Sequence, residues 1–515
     1  MTRFLILALL ISSAAAAQSN PPNGPAIPAI GLTASRAGAP PENVPAPQPW
    51  DQQSQWNLEL VGSNDLQGRS TYQPTIVNQD GREIAYMGHH AGTRLNPLTG
   101  RVEPNGTSLL DVTDPKNPKY LSHIPGPAEK SGEVAGSQMV RVCSGNVLPH
   151  GQHGKWYMLR THGNIGADES QEIYDTTDPA RPVLLTTIVD HLSNTHKNWW
   201  ECDTGIAYLV ANNAAEGWKH SGSSQHLKIY DLSDPAHPKY VRDFGLPGQQ
   251  PGAAEAAPTG IHGVISAGVT KNRIYMPYGV GANGVIQIID RKKLLTDFTS
   301  SVRPSREDLL SPQVGVIKMS RDQGGHSAFP IFGVPIPEFQ GFARYKTRDL
   351  LIVTSEADTN QACTTAPHMA FILDITDETA PWPISTLRVP EMPGDFCGKG
   401  GPFGAHGIAE SFYPLYYGKL AIIAWFNAGV RIWDIRDPYA PRQVAYFIPA
   451  PNQNTEESCV TVNGSKTCKT AVSTNNVEVD DRGLIYAVDR SGTGLHILRL
   501  TGAASEVVSV GPAGR

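Results

Sequence analysis

Short apolar runs, broken by turn residues, recur along nearly the whole chain and predict many short strands with little helix. One phrase repeats: an apolar strand ends in Asp, an Asp-Pro turn follows, and a further Pro precedes another strand. It reads Leu110-Asp111-Val112-Thr113-Asp114-Pro115 and returns at Tyr174–Pro179, Tyr230–Pro235 and Trp433–Pro438. A looser copy starts at Leu373, and a worn one is Ile288-Ile289-Asp290. Asp and Pro set a tight turn and Thr or Ser can bond nearby backbone, so these aspartates read as structural.

Each unit predicts four strands. The second strands fall at Ile84–Met87, Trp156–Leu159, Ile206–Leu209, Arg273–Met276, Leu350–Val353, Leu420–Ile423 and Leu484–Ala487, which makes seven units. The last unit lacks a fourth strand, and Trp56–Gly62, near the other end, has the pattern to supply it. Radial repeats of this length, closed by the two ends of the chain, predict an all-β, seven-bladed β-propeller of four-stranded blades. The expected boundaries are a signal peptide over 1–17, a Pro/Ala-rich leader over 18–50, the propeller over 51–501 and a tail over 502–515.

The repeat phrase resembles that of the LVIVD-repeat proteins, a family of exported β-propellers. The copies starting at Leu110, Tyr174, Tyr230 and Trp433 carry the likeness, while the fourth and seventh units depart from it. The resemblance implies the fold but no single activity.

Composition narrows the partners. A net charge of −6 with no basic stripe argues against nucleic acid. Thr2-Arg3, the apolar run Phe4–Ile11 and the small residues Ala14–Ala17 form an export signal too short to span a bilayer stably, so a periplasmic or secreted protein without stable membrane insertion is expected. Six cysteines fit that oxidising setting. Cys459 and Cys468 flank the Asn463-Gly464 turn, Cys143 and Cys202 occupy similar places in neighbouring repeats, and Cys363 with Cys397 follows by elimination.

The candidate chemistry is imidazole. His196, His262, His326 and His406 each open the first strand of a unit, the strand that lines a propeller's channel. Four histidines from consecutive blades would converge at the channel mouth as metal ligands, for iron, copper or zinc. His89, His90 and His162 follow second strands and are expected on the same face, as substrate-side groups. Glu201, Glu356 and Glu410 are candidates for orienting the ligands or moving protons. The other units open with Tyr72, Gln138 and Asn475, which are polar but poor ligands. The competing reading is that a His-Gly opening only satisfies backbone groups near the axis.

An axis with four histidines from separate blades is similar to that of the carotenoid cleavage oxygenases, and on His196, His262, His326 and His406 the likeness implies ferrous iron that activates dioxygen. His89-His90 followed by Gly92 looks like a fragment of the selenium-binding protein and methanethiol oxidase family, which are metal-linked propellers. The cysteines that family places soon after the pair are absent here, which argues against thiol oxidation.

No H-E-x-x-H, P-loop or dinucleotide fingerprint is present, so no nucleotide cofactor is expected. Trp199, Trp200, Phe329, Phe332, Trp425 and Phe426 could wall an apolar pocket, although aromatics in blades more often pack one blade on the next. Two functions follow: a metal-dependent enzyme acting on a small apolar or aromatic substrate by oxidation or metal-assisted hydrolysis or elimination, or a non-catalytic propeller holding an extracytoplasmic protein, peptide or glycan at its top face.

Overall fold

The computed structural model describes residues 44–127, 136–163, 169–222, 225–280, 283–335, 347–356, 363, 366–462 and 465–509. The expected signal peptide, most of the leader and the last six residues lie outside them. The described chain forms a seven-bladed β-propeller of four-stranded antiparallel blades. Blade 1 runs Thr71–Gln79, Arg82–His89, Gly106–Asp111 and Lys119–Pro125, and blades 2 to 5 repeat that order with every neighbour hydrogen-bonded in sequence.

The Asp-Pro phrase works as turn chemistry. Asp111, Asp175, Asp231, Asp374 and Asp434 each accept the backbone N–H two residues on, at 2.8–3.1 Å. The second aspartate does the same: Asp114, Asp178, Asp234, Asp377 and Asp437 accept at 3.0–3.1 Å. The intervening threonines tie the turn to the blade, since Thr113, Thr177 and Thr376 hydroxyls accept backbone N–H groups from the second strand's start at 3.0–3.1 Å. A register shift sits just before the first Asp in the six blades that carry the phrase, adding twist there. The worn fourth copy departs because Asp290 instead caps the helix Arg291–Thr296.

The last two blades are completed from the N-terminal side, and here the structure divides what the sequence reads as one strand. Ser54–Trp56 adds outside Arg442–Ile448 of blade 6, and Leu58–Asn64 pairs with Leu495–Leu500 as the outer strand of blade 7. Asn57, at φ +51°, makes the break, and its side chain donates to the Val444 carbonyl at 2.8 Å. The expected tail begins with a helix, Gly502–Ser509, whose Ala504 and Val507 are buried against blades 6 and 7.

Apolar residues pack blade on blade: Tyr208, Leu227 and Phe244 of blade 3 meet Ile274, Met276 and Ile289 of blade 4. Three disulfides, Cys143–Cys202, Cys363–Cys397 and Cys459–Cys468, join the pairs expected from the sequence and suit an oxidising compartment. Among the described residues no helix is long and apolar enough to cross a membrane.

Candidate metal centre

The four strand-opening histidines share one register. The backbone N–H of His196, His262, His326 and His406 donates to Val210, Pro277, Thr354 and Ala424 respectively, at 2.9–3.0 Å, in each case onto the neighbouring second strand. Equivalent places in consecutive blades bring the rings together. Centroids lie 4.0 Å apart for His196 and His262, 4.6 Å for His262 and His326, and 4.0 Å for His326 and His406. Tyr72, which opens blade 1, closes the circle at 5.3 Å from His196 and 5.7 Å from His406. The glycines behind two of the histidines permit this crowding. A Cβ on Gly407 would stand 2.6 Å from the Asn476 side chain, and one on Gly263 would meet Lys197 at 3.2 Å.

Glu356, two residues beyond the second strand of blade 5, turns its carboxylate into the ring. Its oxygens lie 3.7 Å from His262 Nε2, 3.9 Å from His326 Nε2 and 3.4 Å from His406 Nε2. All these side chains are buried.

Hydrogen-bond partners assign the tautomers. His406 Nδ1 faces two acceptors, the Asn475 carbonyl at 2.6 Å and Asn476 Oδ1 at 2.9 Å, so it carries a proton. His196 Nδ1 donates to the His262 carbonyl at 2.9 Å. His326 lies between two hydroxyls, Ser327 Oγ 3.0 Å from Nδ1 and Tyr72 Oη 3.1 Å from Nε2, either of which can donate or accept. His196 therefore presents its Nε2 lone pair, and His406 turns its Nε2 to the Glu356 carboxylate. His262 is buried with no hydrogen bond at either nitrogen.

Burial drives the neutral forms. His262 and His326 are held well below the ordinary imidazole value by desolvation and by neighbouring cationic groups, and His196 is pushed down to about 4, chiefly by burial. Burial alone would raise the Glu356 carboxyl, but the imidazoles, with Arg490, outweigh it and the group sits below its ordinary value. A carboxylate and the Nε2 atoms of His262, His326 and His406 therefore meet in a buried space. That donor set fits a transition-metal cation.

The other candidates separate. Glu410 lies deeper, between Arg141 Nη2 at 2.6 Å and the Lys197 ammonium, which also donates to Ser327 Oγ at 2.8 Å. Lys197 and Arg141 overcome burial and keep Glu410 ionised. Its neighbour Glu478 accepts the Glu410 N–H at 2.9 Å and is pushed up to about 8 by burial and by the Glu410 charge. His90 borders the ring: it meets Tyr72 edge-on at 5.2 Å, takes the Gln138 amide on Nδ1 at 2.7 Å and leaves Nε2 without a partner.

His89, Glu201 and His162 are not brought to the centre. His89 is held inside blade 1 by Thr71 and Ser108, at 3.0 and 2.6 Å. Glu201 is engaged by Arg291 from blade 4, with contacts of 2.5–3.0 Å, and by Tyr208 at 3.0 Å. His162 contacts Arg160 Nη2 at 3.0 Å and Glu172 at 3.3 Å within blade 2.

Two ring neighbours do more than the sequence assigns them. Tyr72 reads as a strand-opening residue and a poor ligand, yet its phenol reaches across to His326. Phe426, a candidate pocket wall, has its ring 4.7 Å from His406, and its φ is +39°, an outlying conformation for a bulky residue. Trp199 instead lies under Arg141, and Phe329 packs among the blade 5 and blade 6 core residues.

Neither a family model nor a curated protein matches the chain. Solved propellers resemble it at low identity. Chaetomium thermophilum Sqt1 bound to the N-terminus of ribosomal protein L10 aligns with 12% identity and a TM-score of 0.44, covering 86% of this chain and 99% of that one. The Dos1 propeller aligns with 10% identity and a TM-score of 0.38 over 87% and 96%. A chain of the COPII outer coat vertex on membranes gives 11%, 0.38, and 67% and 81%. The blade assignment here stands on the strand pairing itself.

Proposed function

We propose that this chain is an exported metalloprotein, periplasmic or secreted, whose channel mouth holds one iron, copper or zinc ion and transforms a small organic substrate. His196, His262, His326 and His406 would hold the ion, with Glu356 as fifth donor or as the charge beside it. Bound there, such an ion supplies Lewis-acid or redox chemistry, which keeps oxidation and metal-assisted hydrolysis or elimination within this reading.

One observation carries it. His406 Nδ1 already donates to two acceptors, so its Nε2 meets the Glu356 carboxylate at 3.4 Å either as an imidazolium or as a lone pair. As an imidazolium it pairs with the carboxylate, and as a lone pair it repels the carboxylate unless a cation lies between them. The unpartnered nitrogens of His262 beside the same carboxylate point the same way.

Elemental analysis of the mature protein, purified without a His-tag, tests this beside His262→Ala/His406→Ala. One equivalent of iron, copper or zinc that disappears in the variant is expected. No metal in either sample after reconstitution would remove the centre.

A second reading, a partner-binding propeller, is favoured by the outer strand of blade 2. Val183, Leu184 and Leu185 there are 63%, 48% and 40% exposed, and the strand Val183–Leu192 ends its sheet. An apolar sheet edge can template an added strand from a partner. That site is a blade edge rather than the top face the sequence suggests.

A further inference from the structure

Near His406, two cations are buried that no carboxylate among the described residues meets. Lys399 and Arg431 are 7% and 2% exposed. Among the described residues neither forms an ion pair with a carboxylate. Both instead face the buried ring of Phe396, Lys399 Nζ at 4.6 Å and Arg431 Cζ at 5.2 Å from its centroid, and Arg431 also lies 4.8 Å over Tyr446. Arg431 Nε donates to the Ala428 carbonyl at 2.8 Å, but Nη2 is buried with no acceptor. Asp395, whose charge reaches Lys399, is itself exposed.

Aromatic faces offset only part of the cost of taking an ammonium and a guanidinium out of water. Two like charges around one ring repel as well. Burial and the Arg431 charge push Lys399 down to about 7, and burial pushes Arg431 down to about 9. A small anion entering between them would satisfy Nη2 and end that repulsion.

The cation pair is tied to the histidine cluster by one turn, Trp425–Gly429. Phe426 in that turn rests on His406. Asn427 holds the loop that carries Lys399, donating to the carbonyls of Phe396 and Gly400 at 2.8 Å each. Ala428 receives Arg431. The Cys363–Cys397 disulfide braces the same loop. Phe396 stacks on Phe403 at 5.2 Å, so the surroundings are aromatic and suit an oxyanion attached to an apolar body.

We propose that Lys399 and Arg431 form a carboxylate subsite, and that the substrate of the histidine centre is a small apolar or aromatic acid. The substrate part of this inference rests on the metal reading above, whereas the subsite itself does not.

Calorimetric titration of the metal-stripped protein with sodium benzoate, and separately with sodium sulfate, tests it. Saturable benzoate binding is expected, weakened about tenfold or more by Lys399→Met or Arg431→Met as a charge-assisted contact is lost. Arg431→Lys, which keeps a cation, is expected to retain part of the binding and guards against misfolding of the Met variant. Sulfate should bind more weakly, having no apolar body to set against Phe396. Absence of benzoate binding, binding unchanged in Lys399→Met, or sulfate binding as tightly as benzoate would each overturn the carboxylate assignment. Benzoate binding in a protein that never retains metal would keep the subsite and remove only the metal reading. Metal retention without benzoate binding would do the reverse.

Discussion

At the scale of single residues, Tyr72 and Glu356 act on the same imidazoles with opposite consequences. The Tyr72 hydroxyl lies 3.1 Å from His326 Nε2, the nitrogen a metal would use. Removing it in Tyr72→Phe is expected to raise metal affinity about fivefold, the worth of a net hydrogen bond of about 1 kcal/mol. A metal titration that instead shows weaker binding would make the phenol a ligand. Glu356→Gln removes a carboxylate that faces three of the histidines and should weaken binding about 10- to 100-fold. Unchanged affinity there would sink the assignment of the carboxylate to the centre. The four histidines and Glu356 were legible because each holds a repeat position, and blade geometry turns repeat position into proximity. His89 and His90 were not separable, since adjacent residues in extended chain point to opposite sides. Only one of them could meet Tyr72. Glu201 was misleading for another reason: its partner Arg291 lies in the next blade, and nothing local signals that pairing.

Among elements, the Trp425–Gly429 turn carries the most. Trp425 N–H donates to the Gly429 carbonyl at 2.7 Å, and Phe426 N–H and C=O face Thr474 of blade 7. The turn holds Phe426 at φ +39° with its ring against His406. A left-handed conformation costs an ordinary residue about 1–2 kcal/mol, and glycine escapes most of that. Phe426→Ala should therefore lose about 3–5 kcal/mol of packing and keep the strain, while Phe426→Gly loses the same packing but sheds the strain. Allowing for the greater freedom of an unfolded glycine, the Gly variant should be the more stable by roughly 0.5–1 kcal/mol. Urea unfolding of the two proteins decides it, and an Ala variant at least as stable would mean the turn relaxes without help. No sequence signal marks this strain, because Phe has no preference for it. The Asp-Pro turns were legible because their chemistry is local: each aspartate bonds a backbone group two residues away. The N-terminal strand was placed correctly at Leu58 and beyond but missed the break at Asn57, which depends on a contact with Val444 far along the chain.

Across the whole molecule, closing a narrow propeller forces titratable groups into dry places, and this sets how stability responds to pH. His123, His220 and His496 are pushed down to about 4, first by burial, from an ordinary 6.5. His89 and His90 are lowered further by the same cause. Between about pH 4 and 6.5 the unfolded chain binds protons at these sites that the fold refuses, so stability falls as the solution is acidified. Glu478, raised to about 8 from 4.5, and Asp489, raised to about 6 from 3.8, have the opposite sign: the fold keeps protons there that the unfolded chain releases. With His196, His262 and His326 of the centre and His368, all likewise lowered, the histidines outnumber the raised carboxyls Glu83, Glu478 and Asp489 and leave the acid limb dominant below pH 6.5. Above it the histidines are neutral in both states and Asp489 is mostly ionised in both, which leaves Glu478 and Lys399. Glu478 lowers stability by up to ~1.4 kcal/mol per pH unit until about pH 8. Lys399, at about 7 against an ordinary 10.5, has the opposite sign because the unfolded chain keeps a proton there that the fold releases. Stability measured by chemical denaturation on metal-stripped protein should therefore climb from acid to about pH 6.5 and change little from there to about pH 8, where the two slopes oppose. In Glu478→Gln the acid limb should steepen by up to ~1.4 kcal/mol per pH unit above about pH 4.5, and stability should go on rising between about pH 7 and 8 as Lys399 acts unopposed. If the variant keeps the parent's profile up to about pH 8, the buried proton beside Glu410 is not where this fold stores its alkaline sensitivity.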